Sequence, residues 1–234
     1  MPEYSKTPNS TVFRNPQAAT YNRSVIHALI DATPYCHISA QVRNRPYIQA
    51  TVHWREDDRL YVHGAPKNKM MRAITRGAEA ALAFTHFDGY VLPRSAFNHA
   101  VSYRSVMLFS KATPVSDLSE KRRLLELFVE RISPGRWRTV RQPTETELKM
   151  TSVLEFKIEE VSAKLLLQLE QLPDLMPGGK YELEADRSYS PWTGIVPFEL
   201  VRKAPLDATD IHQAIRALGS RQDSQDSVHE RGTT

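Results

Sequence analysis

The sequence predicts a mainly β domain of the α+β class, in which six or so short strands form a small, partly open antiparallel barrel with helices at the connections. Two observations support this class. Short apolar or alternating segments are separated by turn segments such as Arg43-Asn-Arg45 and Glu56-Asp-Asp58. The first strand is not followed by the glycine-rich phosphate loop that opens a dinucleotide-binding α/β sheet. An antiparallel barrel is therefore favoured over an α/β sheet.

The first half of the chain predicts a helix followed by a meander of strands. Residues 22–32 carry apolar side chains at helical spacing, with Asn22 as the N-cap and Pro34 ending the helix. The following strands are expected at 35–42, 46–55, 59–63, 80–87 and 103–114, with a short helix at 67–76 that Gly77 ends.

The second half predicts two further helices and two strands. Residues 118–132 form an amphipathic helix ended by Pro134-Gly135. Thr144 begins a short helix, because Glu147 completes a capping box with it. Residues 151–164 predict one long strand, and residues 190–196 predict the last strand.

Composition bounds the organisation of the 234-residue chain. Residues 1–11 are expected to form a flexible N-terminal arm, residues 12–203 the folded domain, and residues 204–234 a polar, disordered tail. A hydrophobic content of 41% fills a core, and no apolar run approaches the roughly 20 residues of a membrane span. The N-terminus lacks the apolar core of a signal peptide, so a cytoplasmic location without membrane contact is expected.

Several function classes find no support. The net charge of +4 is modest, and no nucleic-acid module accompanies the basic cluster at 131–141, so nucleic acid is not an expected partner. The single Cys36 excludes a disulfide framework and is expected to pack in the core. No histidine or carboxylate spacing predicts a metal centre, and no nucleophile elbow predicts a hydrolase. The chemistry is therefore expected to come from a cofactor.

The segment 88–112 holds many hydrogen-bond donors beside a buried strand. Its polar side chains are Arg94, Ser95, Asn98, His99, Ser102, Tyr103, Arg104 and Ser105, and residues 106–109 predict the buried strand. A core strand that begins with arginine and serine needs partners for them, because an unpaired buried charge is costly. An anionic ligand is one such partner.

Three motifs carry a resemblance to a known family: Leu60-Tyr-Val-His-Gly64, Tyr103-Arg-Ser-Val106 and Trp192-Thr-Gly-Ile-Val-Pro197. Together they resemble the flavin-nucleotide-binding branch of the pyridoxamine 5'-phosphate oxidase-like family, which includes the nitroimidazole-resistance proteins. The resemblance implies a six-stranded split β-barrel of the FMN-binding type. It also implies a homodimer in which flavin lies between two subunits.

The resemblance also implies the roles of individual residues. Asn68 and Lys69 hold the FMN phosphate together with Arg104, whereas Ala50 and Thr51 lie along the pyrimidine edge of the flavin. Further flavin contacts are implied for His63, Gly64, Tyr103, Ser105 and Trp192. His63 is the candidate catalytic residue, which donates a proton to the substrate or orients it. Two alternatives stay open: Arg104 pairs with Asp88 or Glu79, and His63 is a structural residue.

The resulting expectation is an FMN-dependent oxidoreductase that reduces a small conjugated or nitroaromatic acceptor. NADH and NADPH are the candidate electron donors. Pyridoxamine 5'-phosphate oxidase activity is not favoured, because the C-terminal motif lacks the Arg-x-His arrangement that holds that substrate's phosphate. The alternatives are a non-catalytic flavin carrier or sensor, and a haem-binding split-barrel protein in which a histidine ligates iron.

Overall fold

The computed structural model describes residues 2–167 and 172–202. This part of the chain contains ten strands and four α-helices. The strands are β1 (Ala19–Thr20), β2 (Cys36–Val42), β3 (Arg45–Thr51), β4 (His53–Glu56), β5 (Arg59–Gly64), β6 (Glu79–Leu92), β7 (Ala100–Pro114), β8 (Ser152–Lys157), β9 (Glu160–Leu166) and β10 (Gly194–Pro197). The helices are α1 (Arg23–Ala32), α2 (Lys69–Thr75), α3 (Leu118–Ile132) and α4 (Glu145–Lys149).

The sheet is antiparallel and does not close on itself. Its strands run in the order β3-β2-β6-β7-β8-β5-β4, while β9 also pairs with β7 and β10 with β6. The two terminal strands of that path, β3 and β4, do not pair with each other, so the barrel is split. The long β6–β7 hairpin is the centre of the fold, since its strands pair along nearly their whole length. The α+β split-barrel prediction is confirmed.

Local sequence signals set many of the boundaries. The tight turn between β2 and β3 holds Arg43 and Asn44 at φ 53° and 59°, the left-handed conformation of a two-residue hairpin turn. The side chain of Asn22 accepts from the Val25 amide, which caps α1 as predicted. The predicted capping box of α4 also forms between Thr144 and Glu147.

The strand count exceeds the predicted six. The segment 46–55 is broken at Val52 into β3 and β4, which belong to opposite ends of the sheet. The segment 151–164 is broken between β8 and β9, and the amide of Ile158 donates to the carbonyl of Asp58 instead of continuing the strand. The short β1 and β10 complete the set, and β1 pairs with β9. Such breaks depend on long-range pairing, which residue alternation does not report.

Two hydrophobic clusters lie inside the domain. The larger one packs α1 and α2 on the inner face of the sheet, and Cys36 is fully buried in it as expected. The smaller cluster joins Trp54, Tyr61 and Val153 to Leu124 of α3. Beside the larger cluster, buried His53 lies 2.9 Å from the carbonyl oxygen of Ile30 through Nε2, and burial lowers the pKa of this imidazole to about 4.

Contacts divide the chain into residues 1–198 and residues 199–234, and the latter is described only at 199–202. The segment predicted as a flexible N-terminal arm belongs to the first unit. Tyr4 is buried, and its hydroxyl group bonds His27 and Asp58. The tail predicted at 204–234 lies outside the described residues. No helix in the described part has the length and apolar character to cross a membrane.

Candidate functional site

The outer face of the main sheet gathers several of the predicted site residues. One row across the strands joins Ala50 of β3 to His37 of β2, then Ala83 of β6 and Met107 of β7. Side chains alternate along a strand, so Tyr103 and Ser105 lie on the same face as Met107. Ala50 and Met107 are three strand spacings apart, or roughly 14 Å. Between them lie the small side chain of Ala83 and the exposed imidazole of His37.

Apolar side chains on this face are exposed. Ile48 on β3 is 68% exposed, and Phe87 and Met107 on the central hairpin are also exposed. A soluble monomer seldom exposes several large apolar side chains on one face of a sheet, because burying them releases free energy. The face is therefore suited to covering by a planar ligand, by another subunit, or by both.

Arg104 points away from the outer face. Its neighbours at alternate positions, Val106 and Leu108, are buried in the core. The guanidinium group donates to both carboxylate oxygens of Asp88, at 3.0 Å through Nε and 2.6 Å through Nη2. This is one of the two ion pairs that the sequence left open as alternatives to a phosphate contact. Among the described residues, Nη1 of Arg104 makes no hydrogen bond.

The start of α2 holds Asn68 and Lys69 beside the edge strand β3. Asn68 is the N-cap, because its side-chain oxygen accepts from the Met70 and Met71 amides. Its amide nitrogen donates to Gln49 of β3 at 3.0 Å, next to Ala50. Two of the helix amides expected to meet a phosphate are thus already occupied by Asn68. Lys69 remains exposed and forms no ion pair with the described residues.

His63 lies in the smaller hydrophobic cluster. Its ring centroid is 4.9 Å from that of Phe128 and 5.7 Å from that of Trp54. Its Nδ1 is buried without a hydrogen-bond partner, and burial lowers the pKa of the ring, so the imidazole is neutral at pH 7. A neutral ring can orient a substrate but is a weak proton donor. Gly64 follows at the end of β5, where an added Cβ would lie 3.2 Å from Met71.

The donors at the end of the β6–β7 hairpin find protein partners. Arg94 donates to Glu182 at 2.6 Å, and the Asn98 amide donates to the carbonyl of Tyr181 at 3.1 Å. Ser102 donates to the carbonyl of Leu167. The sequence predicted an anionic ligand as a partner for the donors of this segment. In the structure, protein carboxylate and carbonyl oxygens accept hydrogen bonds from several of these donors. Glu182 escaped prediction because 88 residues separate it from Arg94.

The described residues thus place the predicted site in four locations. Ala50, Thr51, Asn68 and Lys69 lie together at β3 and the start of α2, and Gly64 at the end of β5 lies next to Met71 of α2. Tyr103, Arg104 and Ser105 lie on β7, three strands from β3. His63 is packed against α3, and Trp192 is exposed and covers Gly194 at the start of β10. Within one chain, the β3 group and the β7 group do not meet.

The chain is similar to known proteins over most of its length. A family model described as pyridoxamine 5'-phosphate oxidase matches residues 22–165. The flavocytochrome Anf3 of Azotobacter vinelandii superposes with a TM-score of 0.78 at 29% identity, over 89% of this chain and 92% of that one. The FAD and haem binding protein of Mycobacterium smegmatis gives 0.72 at 28% identity, over 82% and 90%.

A more distant structure shares the fold alone. The putative 5-nitroimidazole antibiotic resistance protein of Bacteroides thetaiotaomicron has a TM-score of 0.53 at 17% identity, over 62% of this chain and 85% of that one. The search of curated proteins returned no match.

Proposed function

Because the chain belongs to the pyridoxamine 5'-phosphate oxidase family, we propose that it is a homodimeric redox protein that binds a flavin nucleotide and a haem. One observation carries this proposal. The flavocytochrome and the FAD and haem binding protein are each similar over more than four fifths of both chains. Each of the two relatives is named for both a flavin and a haem. Haem is therefore proposed in addition to the flavin predicted from sequence, and not as an alternative to it.

The extent of the similarity separates this proposal from a flavin-only one. The nitroimidazole-resistance protein corresponds to 62% of the chain, against 89% and 82% for the two flavin- and haem-binding proteins. The family model ends at residue 165, before the segment 172–202 of the described structure. The proteins named for haem therefore match more of this chain than a barrel alone requires.

The outer face of the sheet fits a flavin in a dimer. A flat ring system can lie against the small side chains of Ala50 and Ala83 and against the ring of His37, which lies between them in the row. The β3 group and the β7 group lie too far apart to meet in one chain, so pairing two subunits across this face would bring one group of each subunit to a shared site. The same pairing would cover the exposed Ile48 and Met107.

In this arrangement Lys69 would hold the flavin phosphate, and Arg104 would contact it only after leaving its ion pair with Asp88 on the other face of β7. Thr51 and Ser105 would supply hydrogen bonds to the polar edges of the flavin, and neutral His63 would orient the acceptor. A bound flavin supplies two-electron chemistry, and haem iron supplies one-electron chemistry. These side chains would bind the flavin, orient the acceptor and exclude water from the site.

The proposal also includes the substrate, the electron donor and the location expected from the sequence. The substrate class is a small conjugated or nitroaromatic acceptor, and the donors to test are NADH and NADPH. The location is cytoplasmic, without nucleic-acid or membrane partners, and the functional domain is 12–203 with a tail at 204–234. A non-catalytic carrier would bind the same cofactors, but it would show no turnover with any donor and acceptor.

Absorption of the protein purified from haem-supplemented cells tests the proposal. Flavin bands together with a strong Soret band are expected, and mass spectrometry of the released flavin distinguishes the FMN predicted from sequence from FAD. A colourless protein that takes up neither cofactor on reconstitution would refute the proposal. Flavin bands without haem uptake would restrict it to a flavoprotein.

A further inference from the structure

A cleft lies on the outer face of the sheet, at the end of that face near the β2–β3 turn. Its volume is about 590 Å³, within the range of roughly 300 to 1,000 Å³ that small-molecule sites occupy. Ser39, Ala81 and Phe109 lie side by side on β2, β6 and β7 and form the floor. These three side chains face outward, because the residue before each of them is buried in the core.

Polar side chains surround this floor. Arg43 and Asn44 lie on the β2–β3 turn, and Gln41 and Glu79 follow the floor row on β2 and β6. All four are exposed, and none of their side chains forms an ion pair or a hydrogen bond with another described residue. A guanidinium group, two amides and a carboxylate are therefore available to a ligand in the cleft.

This set of groups fits an adenylate, which combines a phosphate, a ribose and an adenine. An arginine such as Arg43 binds a phosphate through two parallel hydrogen bonds. A carboxylate such as that of Glu79 accepts from ribose hydroxyl groups, as in dinucleotide-binding folds. A side-chain amide such as that of Asn44 pairs with the edge of an adenine, and an aromatic ring such as Phe109 stacks on its face. A bare anion fits less well, because the carboxylate lines the same cleft as the guanidinium group.

The position of the cleft also fits a flavin dinucleotide. The Asn68 amide donates to Gln49 of β3, so the proposed phosphate site at Lys69 lies beside that point of the strand. Pro46, which lines the cleft, is three residues from Gln49 along β3, or about 10 Å. In FAD, a second phosphate and a ribose bridge a gap of this size between the flavin phosphate and the adenine. One molecule can therefore occupy both the flavin face and the cleft.

Resting on the proposed function, we infer that this cleft binds the adenylate half of FAD. Arg43 binds the second phosphate, Glu79 accepts from the ribose hydroxyl groups, and the adenine lies on Phe109. FMN fills the ring row and the site at Lys69 but leaves the cleft empty. The protein therefore prefers FAD to FMN.

Calorimetric titration of the flavin-free full-length chain with FAD and with FMN tests this inference. The unaltered protein should bind FAD about tenfold or more tightly than FMN, because the cleft adds a charged phosphate contact. Arg43→Ala should remove most of this difference by weakening FAD binding, while its affinity for FMN stays unchanged. Arg45→Ala is the matched control, because Arg45 is exposed, two residues away, and does not line the cleft. It should alter neither affinity.

A second variant tests the volume of the cleft. Gln41→Trp places a large ring over the floor from an exposed position, so it should weaken FAD binding about tenfold or more by steric overlap. FMN does not enter the cleft, so its affinity should persist. Retained FMN binding in both variants also shows that they are folded.

The outcomes separate this inference from the proposed function. If the unaltered protein binds neither flavin, the proposed function fails and the inference fails with it. Equal affinities for FAD and FMN, or an equal loss of both in Arg43→Ala, would overturn only the adenylate assignment. NADH and NADPH also carry an adenylate. A raised KM for either donor in Arg43→Ala, with FAD binding unchanged, would overturn the assignment to FAD in favour of the electron donor.

Discussion

His63 and His99 follow the same sequence logic and are placed in opposite environments. His63 lies one residue before the end of β5, within the Leu60–Gly64 motif, and His99 directly precedes β7, which carries the Tyr103–Val106 motif. His63 is packed against Trp54 and Phe128, with Nδ1 buried and without a partner. His99 is exposed, with Nδ1 fixed by a carbonyl. The comparison teaches that two histidines in similar sequence positions can differ completely in burial and in what orients the ring.

The largest expected difference between the two regions is in stability. Trp54→Ala should lower the free energy of unfolding by about 3 to 5 kcal/mol, because Trp54 is 1% exposed at the centre of the smaller cluster. Phe97→Ala, in the loop that holds His99, should change it by less than about 0.5 kcal/mol, because Phe97 is 94% exposed. Denaturant unfolding followed by tryptophan fluorescence and circular dichroism measures both. Equal losses would mean that the loop is as firmly packed as the cluster.

The pH dependence of stability should follow the buried imidazoles. Burial holds the pKa of His53 at about 4, against 6.5 when unfolded. The unfolded chain therefore binds more protons below pH 6.5, and stability should fall as the pH decreases from 6.5 to 4, by about 3 kcal/mol at most. His53→Gln should flatten this part of the curve; a curve identical to that of the unaltered protein would refute the assignment.

His63→Phe tests whether the packed histidine also serves the reaction. Phenylalanine keeps the aromatic packing and removes the ring nitrogens. If His63 orients the acceptor, flavin content should persist, but reoxidation of the reduced flavin by the acceptor should slow by about 10²-fold. Stopped-flow rates normalised to flavin content measure this. An unchanged normalised rate would leave His63 as a purely structural residue.

The smallest expected effect concerns the phosphate contact. Lys69→Ala should weaken flavin binding about tenfold, the equivalent of about 1.4 kcal/mol, because a charged contact is lost. Lys67→Ala is the matched control and should have no effect.

Asp88→Ala frees the guanidinium group of Arg104 and should not weaken flavin binding, whereas Arg104→Ala should weaken it. Fluorescence titration of the flavin-free protein measures all four, and equal affinities for Lys69→Ala and Lys67→Ala would remove Lys69 from the site.

Local sequence signals predicted much of the fold. The helix at 118–132, the cap at Asn22 and the capping box at Thr144 depend on neighbouring residues and were found as predicted. The break at Val52 was not predictable, because β3 and β4 pair with different strands.

The site was predicted less completely for the same reason. Arg94 meets Glu182 and Arg104 meets Asp88 through tertiary contacts, so donors that suggested a ligand from sequence already have protein partners. The orientation of His99 depends on the backbone turn at Ser95, which residue spacing does not specify.

The central claim is that each chain holds a flavin and a haem that exchange electrons with external partners. Anaerobic reductive titration of the purified protein tests it most directly. The flavin takes up two electrons and the haem iron one. We expect about three electron equivalents per chain, with loss of the flavin bands and a shift of the Soret band in one titration. An end point at two equivalents without a Soret change, or no uptake at all, would contradict the claim.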